Sequence, residues 1–176
     1  MPDKGARELD VLVATYDGIA AAETDLMAVR DLYQTLGSAY NFDAAVVSKN
    51  ENGEPKIHRT YEAGTRHEAR KGLGVGLAAG LIAAAFPAVG IATALAAGAG
   101  GAAIGALVGH AQSGISRDDL RKIADRLDAS QAALVVVHET NVADQVGQSI
   151  RAAAGRLVAK VKDMRAELVG TASRAM

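Results

Sequence analysis

The sequence predicts an α+β fold, an antiparallel sheet with covering helices, interrupted by a long apolar helical hairpin. Three observations predict it. Short β-branched runs, each a strand in length, occur on both sides of the centre. Between them lie segments whose apolar residues recur at spacings of three and four, the period of a helix. Residues 72–109 then form a stretch of 38 residues without one formal charge, 24 of them Gly or Ala.

Leu9 to Thr15 (LDVLVAT) suits a buried strand. Asp17 and Gly18 follow as turn and N-cap residues. Ile19, Ala22, Leu26, Val29, Tyr33 and Leu36 make one face of an amphipathic helix, and Gly37 is placed to end it in a left-handed conformation. Phe42 to Ser48 reads as a second strand. Asn52-Gly53 is a turn signal, and Lys56 to Tyr61 alternates Ile57, Arg59 and Tyr61 against Lys56, His58 and Thr60 as a third strand. Ser116 starts the next helix: Asp119 completes a capping box, and Ile115 and Leu120 can form the hydrophobic staple. Leu120, Ile123 and Leu127 carry its apolar face. Ala132 to His138 is a fourth, buried strand. A long final helix is expected from Val142 to about Leu168, with Val146, Ile150, Ala153, Leu157, Val161, Met164 and Leu168 on one stripe.

With the uncharged stretch removed, the order is β-α-β-β-α-β, the ferredoxin-like split βαβ arrangement, followed by an extra C-terminal helix. The expected organisation is one discontinuous domain. Residues 1–67 form its first half, 68–110 the apolar hairpin, 111–140 the second half and 141–176 an amphipathic helix. The first half has three strands and one helix to cover them, too little to fold alone.

The uncharged stretch has no polar face, so it must bury itself in lipid, in a second copy or against its own domain. Gly72, Gly76 and Gly80 are spaced by four, as are Gly101, Gly105 and Gly109. On a helix each set lies along one side, where a second backbone can approach closely. Phe86-Pro87 lies between the sets, and proline breaks or kinks a helix there. The expected hairpin runs from Glu68 to Phe86 and from Ala88 to Gly109. The first arm has 15 uncharged residues, about 22 Å of helix, which is short of the roughly 30 Å of a bilayer core. The second has 22, about 33 Å by the same rise. Arg66, Arg70 and Lys71 before the hairpin, and His110, Arg117, Arg121 and Lys122 after it, favour both ends on the cytoplasmic side.

DVLVATYD, FDAAVV and DLRKIADRLDASQAALVVV, flanking a glycine-rich hairpin, resemble a bacterial family of unknown function whose members are described as stress-associated or membrane proteins. The resemblance covers most of Leu9 to Lys162 and has no catalytic motif to carry over. It implies a bacterial, non-enzymatic protein with a role in envelope or general stress. The start VLVATYDG is also similar to the first strand and acidic turn of universal stress proteins, with Asp17 as the contact. A helix cap explains Asp17 more simply, and the later phosphate signature is missing.

Composition narrows the functions further. A net charge of −1 and no long basic run give no footprint for nucleic acid, and two Phe, four Tyr and no Trp give no stacking platform. The absence of Cys removes disulfides and thiolate chemistry. The N-terminal MPDKGARELD lacks the apolar core of a secretory signal. Gly72-Leu73-Gly74-Val75-Gly76 follows no strand directly and meets no acid downstream, so it is not a dinucleotide fingerprint. His58, His67, His110 and His138 lack metal spacing; His67-Glu68 and His138-Glu139 read as surface pairs, and His110 at the hairpin exit is a candidate pH-sensitive group. Arg151, Arg156, Lys160, Lys162 and Arg165 surround the last apolar stripe, as for a helix on an anionic membrane or against another helix. No cofactor, metal or small-molecule substrate is expected.

The expectation from sequence is therefore a non-enzymatic membrane-associated protein. It would self-assemble into a homo-oligomer through the glycine sides, at the cytoplasmic face of the bacterial inner membrane. The alternative is a soluble homo-oligomer in the cytoplasm, with hairpins buried between copies.

Overall fold

The computed structural model describes residues 8–37, 40, 42–63, 78, 81, 82, 85 and 115–161. The chain order is β1 (Leu9–Tyr16), α1 (Ile19–Leu36), β2 (Phe42–Lys49), β3 (Pro55–Ala63), α2 (Arg117–Ala129), β4 (Ala132–Glu139), a 3-10 turn (Thr140–Val142), α3 (Ala143–Ser149) and β5 (Gly155–Val161). The five strands form one sheet in the order β3-β2-β4-β1-β5. Every pairing is antiparallel. The α+β expectation with an antiparallel sheet therefore holds.

Two consequences follow from the strand order. β1 and β2 both run antiparallel to β4, so they are parallel to each other, joined by α1 with β4 between them. β3 and β4 are likewise parallel, with β2 between them. Both faces of the sheet are covered. α1 and α3 pack on one face, over Leu12, Phe42, Val46 and Leu134. α2 packs on the other, over Val11, Val13, Val135 and Ala159. This double cover explains why all eight residues of β1 and of β4 are buried. A strand covered on both sides reads as a continuous apolar run instead of an alternating one.

The local signals around α2 and the end of α1 are met. Ser116 Oγ accepts from Asp119 N–H at 3.0 Å and donates to Asp119 Oδ2 at 2.8 Å. Ile115 and Leu120 join the same apolar cluster, as a staple requires. Gly37 takes φ +84° and its N–H donates to Tyr33 O at 3.1 Å, closing α1. Asp17 does not cap α1: the N-cap is Gly18, whose position carries no side-chain bond. The β2–β3 turn is wider than Asn52-Gly53. Asn50 Oδ1 accepts from Asn52 N and Glu54 N, both at 2.9 Å, and Gly53 takes φ +77°.

The expected alternation of β3 is broken. Arg59 pairs with Val46 but Ile57 pairs with Val47, so the ladder slips by one residue at His58. This bulge turns Ile57 toward the α2 side and leaves Tyr61 on the α1 side.

The expected long helix from Val142 to Leu168 is overturned in its described part. The helix stops at Ser149, and residues 155–161 form β5, paired with β1 from Leu9↔Val161 to Thr15↔Gly155. Leu157 and Val161 lie four apart, which suits one side of a helix; an even separation also puts them on one side of a strand. The free edge of β1 decides between the two. Ala154 N donates to Thr15 O at 2.8 Å, leading the chain into the ladder. Gly155 has no side chain where a Cβ would meet Thr15 Oγ1 at 3.0 Å and Arg126 Nη1 at 3.1 Å.

Candidate functional site

The uncharged segment meets the domain on the α2 side of the sheet. Four of its positions are described, Ala78, Leu81, Ile82 and Ala85, and all four are helical. Their spacing of three, one and three is one side of an α-helix. Ala78, Leu81 and Ile82 are fully buried, in one cluster with Val11, Val13, Ala45, Val135, Ile123 and Leu127, and Ala85 is packed against it. The buried residues that the sheet contributes to this cluster, apart from Leu9, are Val and Ala. Small side chains on the strands leave room for Leu and Ile from the helices, so the two layers interdigitate. Full burial of each large side chain is worth roughly 1.5–3 kcal/mol. These residues are part of the core.

Two acids mark one end of this face. Asp43 and Glu139, both about 5% exposed, follow the alternation of Ala45 and Val137 and so point to the α2 side. They sit on adjacent strands, where Asp43 registers with Val137. β3 ends at this same end, since Phe42 pairs with Ala63. The chain that continues from Ala63 carries Arg66, Arg70 and Lys71. Gly72, Gly76, Gly80, Gly101, Gly105, Gly109, Phe86 and Pro87, the expected packing and turn residues, lie outside the described residues, as do His67 and His110.

The α1 side holds further buried polar groups that sequence reasoning missed. Asp25, 3% exposed, is the centre of one set. It accepts from Tyr16 OH at 2.9 Å and from the backbone N–H groups of Arg151 and Ala152 at 3.2 and 3.0 Å. These bonds tie α1 to the loop that replaces the expected helix. Burial, then the hydrogen bond and charge of Asp25, raise the Tyr16 pKa far above the usual phenol range, against a smaller lowering by Arg156. Arg156 donates to Gly147 O at 3.0 Å and to Ile150 O, closing the end of α3.

A second set lies at the far end of that face. Asp10 and His138 are directly opposed on β1 and β4, and His138 also registers with Phe42. Phe42 stacks between Tyr33 and Tyr61, at centroid distances of 4.1 and 5.3 Å. Among the described residues Asp10 Oδ1, His138 Nε2 and Tyr33 OH have no hydrogen-bond partner, although His138 Nδ1 lies 3.0 Å from Glu139 O. Burial raises the Tyr33 pKa well above the phenol range, helped by the charge of Glu139. His138-Glu139 is thus not a surface pair: His138 is 1% exposed, and the two side chains point to opposite sides of the sheet. The missing cue was position, since both acids and the histidine sit inside or beside strongly apolar runs. Among the described residues no group of His, Cys, Asp and Glu could hold a metal ion.

Two concavities stand out among the described residues. An open cleft of about 560 Å³ runs between α3 and β5, floored by Leu12, Ile150 and Val158 and edged by Asp144, Arg151 and Arg156. A cavity of about 10 Å³, room for one water, lies beside Ser48 and Leu127. Neither gathers a set of polar groups in the manner of an enclosed ligand pocket. Among the described residues no helix is long and apolar enough to cross a membrane.

The molecule is an α+β domain with a five-stranded antiparallel sheet, one face of which is completed by residues of a glycine- and alanine-rich segment. Residues 69–169 match the model of a family described as Protein of unknown function (DUF1269), and the chain belongs to that family. No curated protein and no solved structure matches it.

Proposed function

We infer that the protein is non-enzymatic and acts by self-association through the glycine sides of its uncharged segment, with the second arm meeting the bilayer. The carrying observation is the buried stripe of Ala78, Leu81 and Ile82, flanked by Ala85. Continued at about 100° per residue, a helix that lays this stripe on the sheet puts Gly72, Gly76 and Gly80 on its opposite side. The domain then acts as a platform that holds the Leu and Ile side inward and offers the glycine side to another helix. Gly101, Gly105 and Gly109 form a matching set, reached across Phe86-Pro87 within one chain or supplied by a second copy. Close approach of the two backbones gives the dense contact that such spacing permits.

The second arm, Ala88 to Gly109, is the one long enough for lipid, and the flanking cations favour the cytoplasmic face of the bacterial inner membrane. A role in envelope or general stress rests on the resemblance alone. The buried stripe also favours a second reading, a soluble homo-oligomer, because side chains committed to the sheet are withdrawn from lipid. Sedimentation of the purified full chain with Gly101→Leu and Gly105→Leu tests self-association: overfilling the contact should give smaller particles than wild type, and unchanged particle size rules the glycine contact out. Carbonate washing of membranes separates the two readings, with retention in the pellet expected for the bilayer form and release for the soluble one.

A further inference from the structure

The bulge in β3 puts a serine and a histidine in contact near the turn of the β2–β3 hairpin. Ser48 Oγ lies 2.6 Å from His58 Nε2. His58 is the residue that the register skips between Arg59↔Val46 and Ile57↔Val47. A regular ladder would place its side chain across from a strand neighbour; the bulge re-aims it along the sheet toward Ser48. Ser48 is half-buried, His58 is exposed, and Ser48 also lines the small cavity beside Leu127. Lys56 is the direct partner of Ser48 in the ladder, which sets the two side chains next to each other on one face. A hydroxyl, a base within hydrogen-bond reach and a neighbouring cation are the parts of an activated nucleophile.

We propose that Ser48 is an acyl-accepting nucleophile activated by His58, open to small activated esters or thioesters at the protein surface. In the step, Ser48 Oγ forms a bond to the acyl carbon and its proton passes to His58 Nε2. The bond to the leaving group breaks, and that group departs with the electron pair. His58 then returns its proton to water, and the product is an O-acyl ester on Ser48. Lys56, the ladder partner of Ser48, is the cation that would offset the negative charge developing on the acyl oxygen. This is a modification of the chain and not a turnover reaction, and it stands apart from the assembly role of the uncharged segment. The hydroxyl also lies 3.5 Å from Lys49 O, too long a contact to compete for its proton.

The test uses the full chain with p-nitrophenyl acetate. Intact mass and peptide mapping follow the adduct, and circular dichroism checks each variant. One acetyl group on Ser48 is expected, absent in Ser48→Ala and formed about a hundredfold more slowly in His58→Gln, the usual contribution of a positioned general base. Acetylation of Ser48 in His58→Gln at the wild-type rate would show that the histidine only holds the bulge. Acetylation confined to lysine amines, or no adduct on folded wild type, overturns the proposal equally. Should Ser48→Ala fail to fold, the rate in His58→Gln decides the matter with the serine intact.

Discussion

The two faces of the sheet are closed in different ways. On the α1 side the cover comes from two helices, α1 and α3, that lie outside the uncharged segment. The core there mixes Leu26, Tyr33, Phe42 and Leu134 with the buried polar set around Asp25. On the α2 side the sheet residues are mostly Val and Ala, no aromatic side chain enters among the described residues, and α2 shares the cover with Leu81 and Ile82 from the uncharged segment. The first face is locked by hydrogen bonds of fixed geometry. The second is closed chiefly by apolar contact, which is non-directional, with Asp43 and Glu139 buried at one end and Lys49 paired with Asp128 of α2 at 3.3 Å at the other. On the proposed reading, folding uses the Leu81 and Ile82 side of the segment and self-association its glycine side.

Truncation on each face breaks or sharpens that contrast most strongly. Leu26→Ala on α1 and Ile82→Ala in the segment should each cost about 2–5 kcal/mol in chemical denaturation, the usual range for such a deletion. A near-zero cost at Ile82 beside a full cost at Leu26 would mean that the segment is not part of the folded core. Asp25→Ala should come next, at about 3 kcal/mol, because the buried donors Tyr16 OH, Arg151 N and Ala152 N lose their acceptor. Its effect belongs to the α1 face and should leave particle size unchanged in sedimentation. Ser116→Ala, which removes the cap of α2, should cost about 1 kcal/mol by the same denaturation assay.

The smallest effect at neutral pH is expected for Tyr33→Phe, since the hydroxyl it removes has no hydrogen-bond partner among the described residues. The pH dependence supplies the contrast. Tyr16 and Tyr33 have phenols raised by burial, so the folded chain keeps protons that the unfolded chain loses. Stability should therefore be full below about pH 10, the ordinary phenol value, and fall as pH rises from there. Denaturation midpoints across alkaline pH should show this fall, and a shallower one in Tyr33→Phe.

Much of the sheet was legible because local signals agreed with one another. Strands β1, β2 and β4 are β-branched runs, and α2 carries its capping box and staple within six residues, Ile115 to Leu120. β5 was not legible, because Ile150, Leu157 and Val161 satisfy a helical period while Leu157, Ala159 and Val161 satisfy a strand period; only the vacant edge of β1 resolves them. Cover on both faces was equally hidden, since α1 and α2 are both amphipathic and nothing local says which side each takes. The bulge at His58 and the inward aim of Asp25 and His138 depend on register and burial, which spacing does not encode. At the candidate site, that the uncharged segment must bury itself was plain from its composition. That Leu81 and Ile82 belong to the domain core was not, because every side of such a segment is apolar and the sheet chooses one.

The central claim is that the first arm of the segment completes the α2 side of the sheet. The chain has no cysteine, so Leu81→Cys introduces a unique thiol whose reaction with a maleimide can be timed in buffer and with anionic vesicles present. Protection that is lost only on global unfolding, in both conditions, is the expected result. Labelling at the rate of an exposed cysteine such as Lys56→Cys while the domain remains folded would contradict the claim.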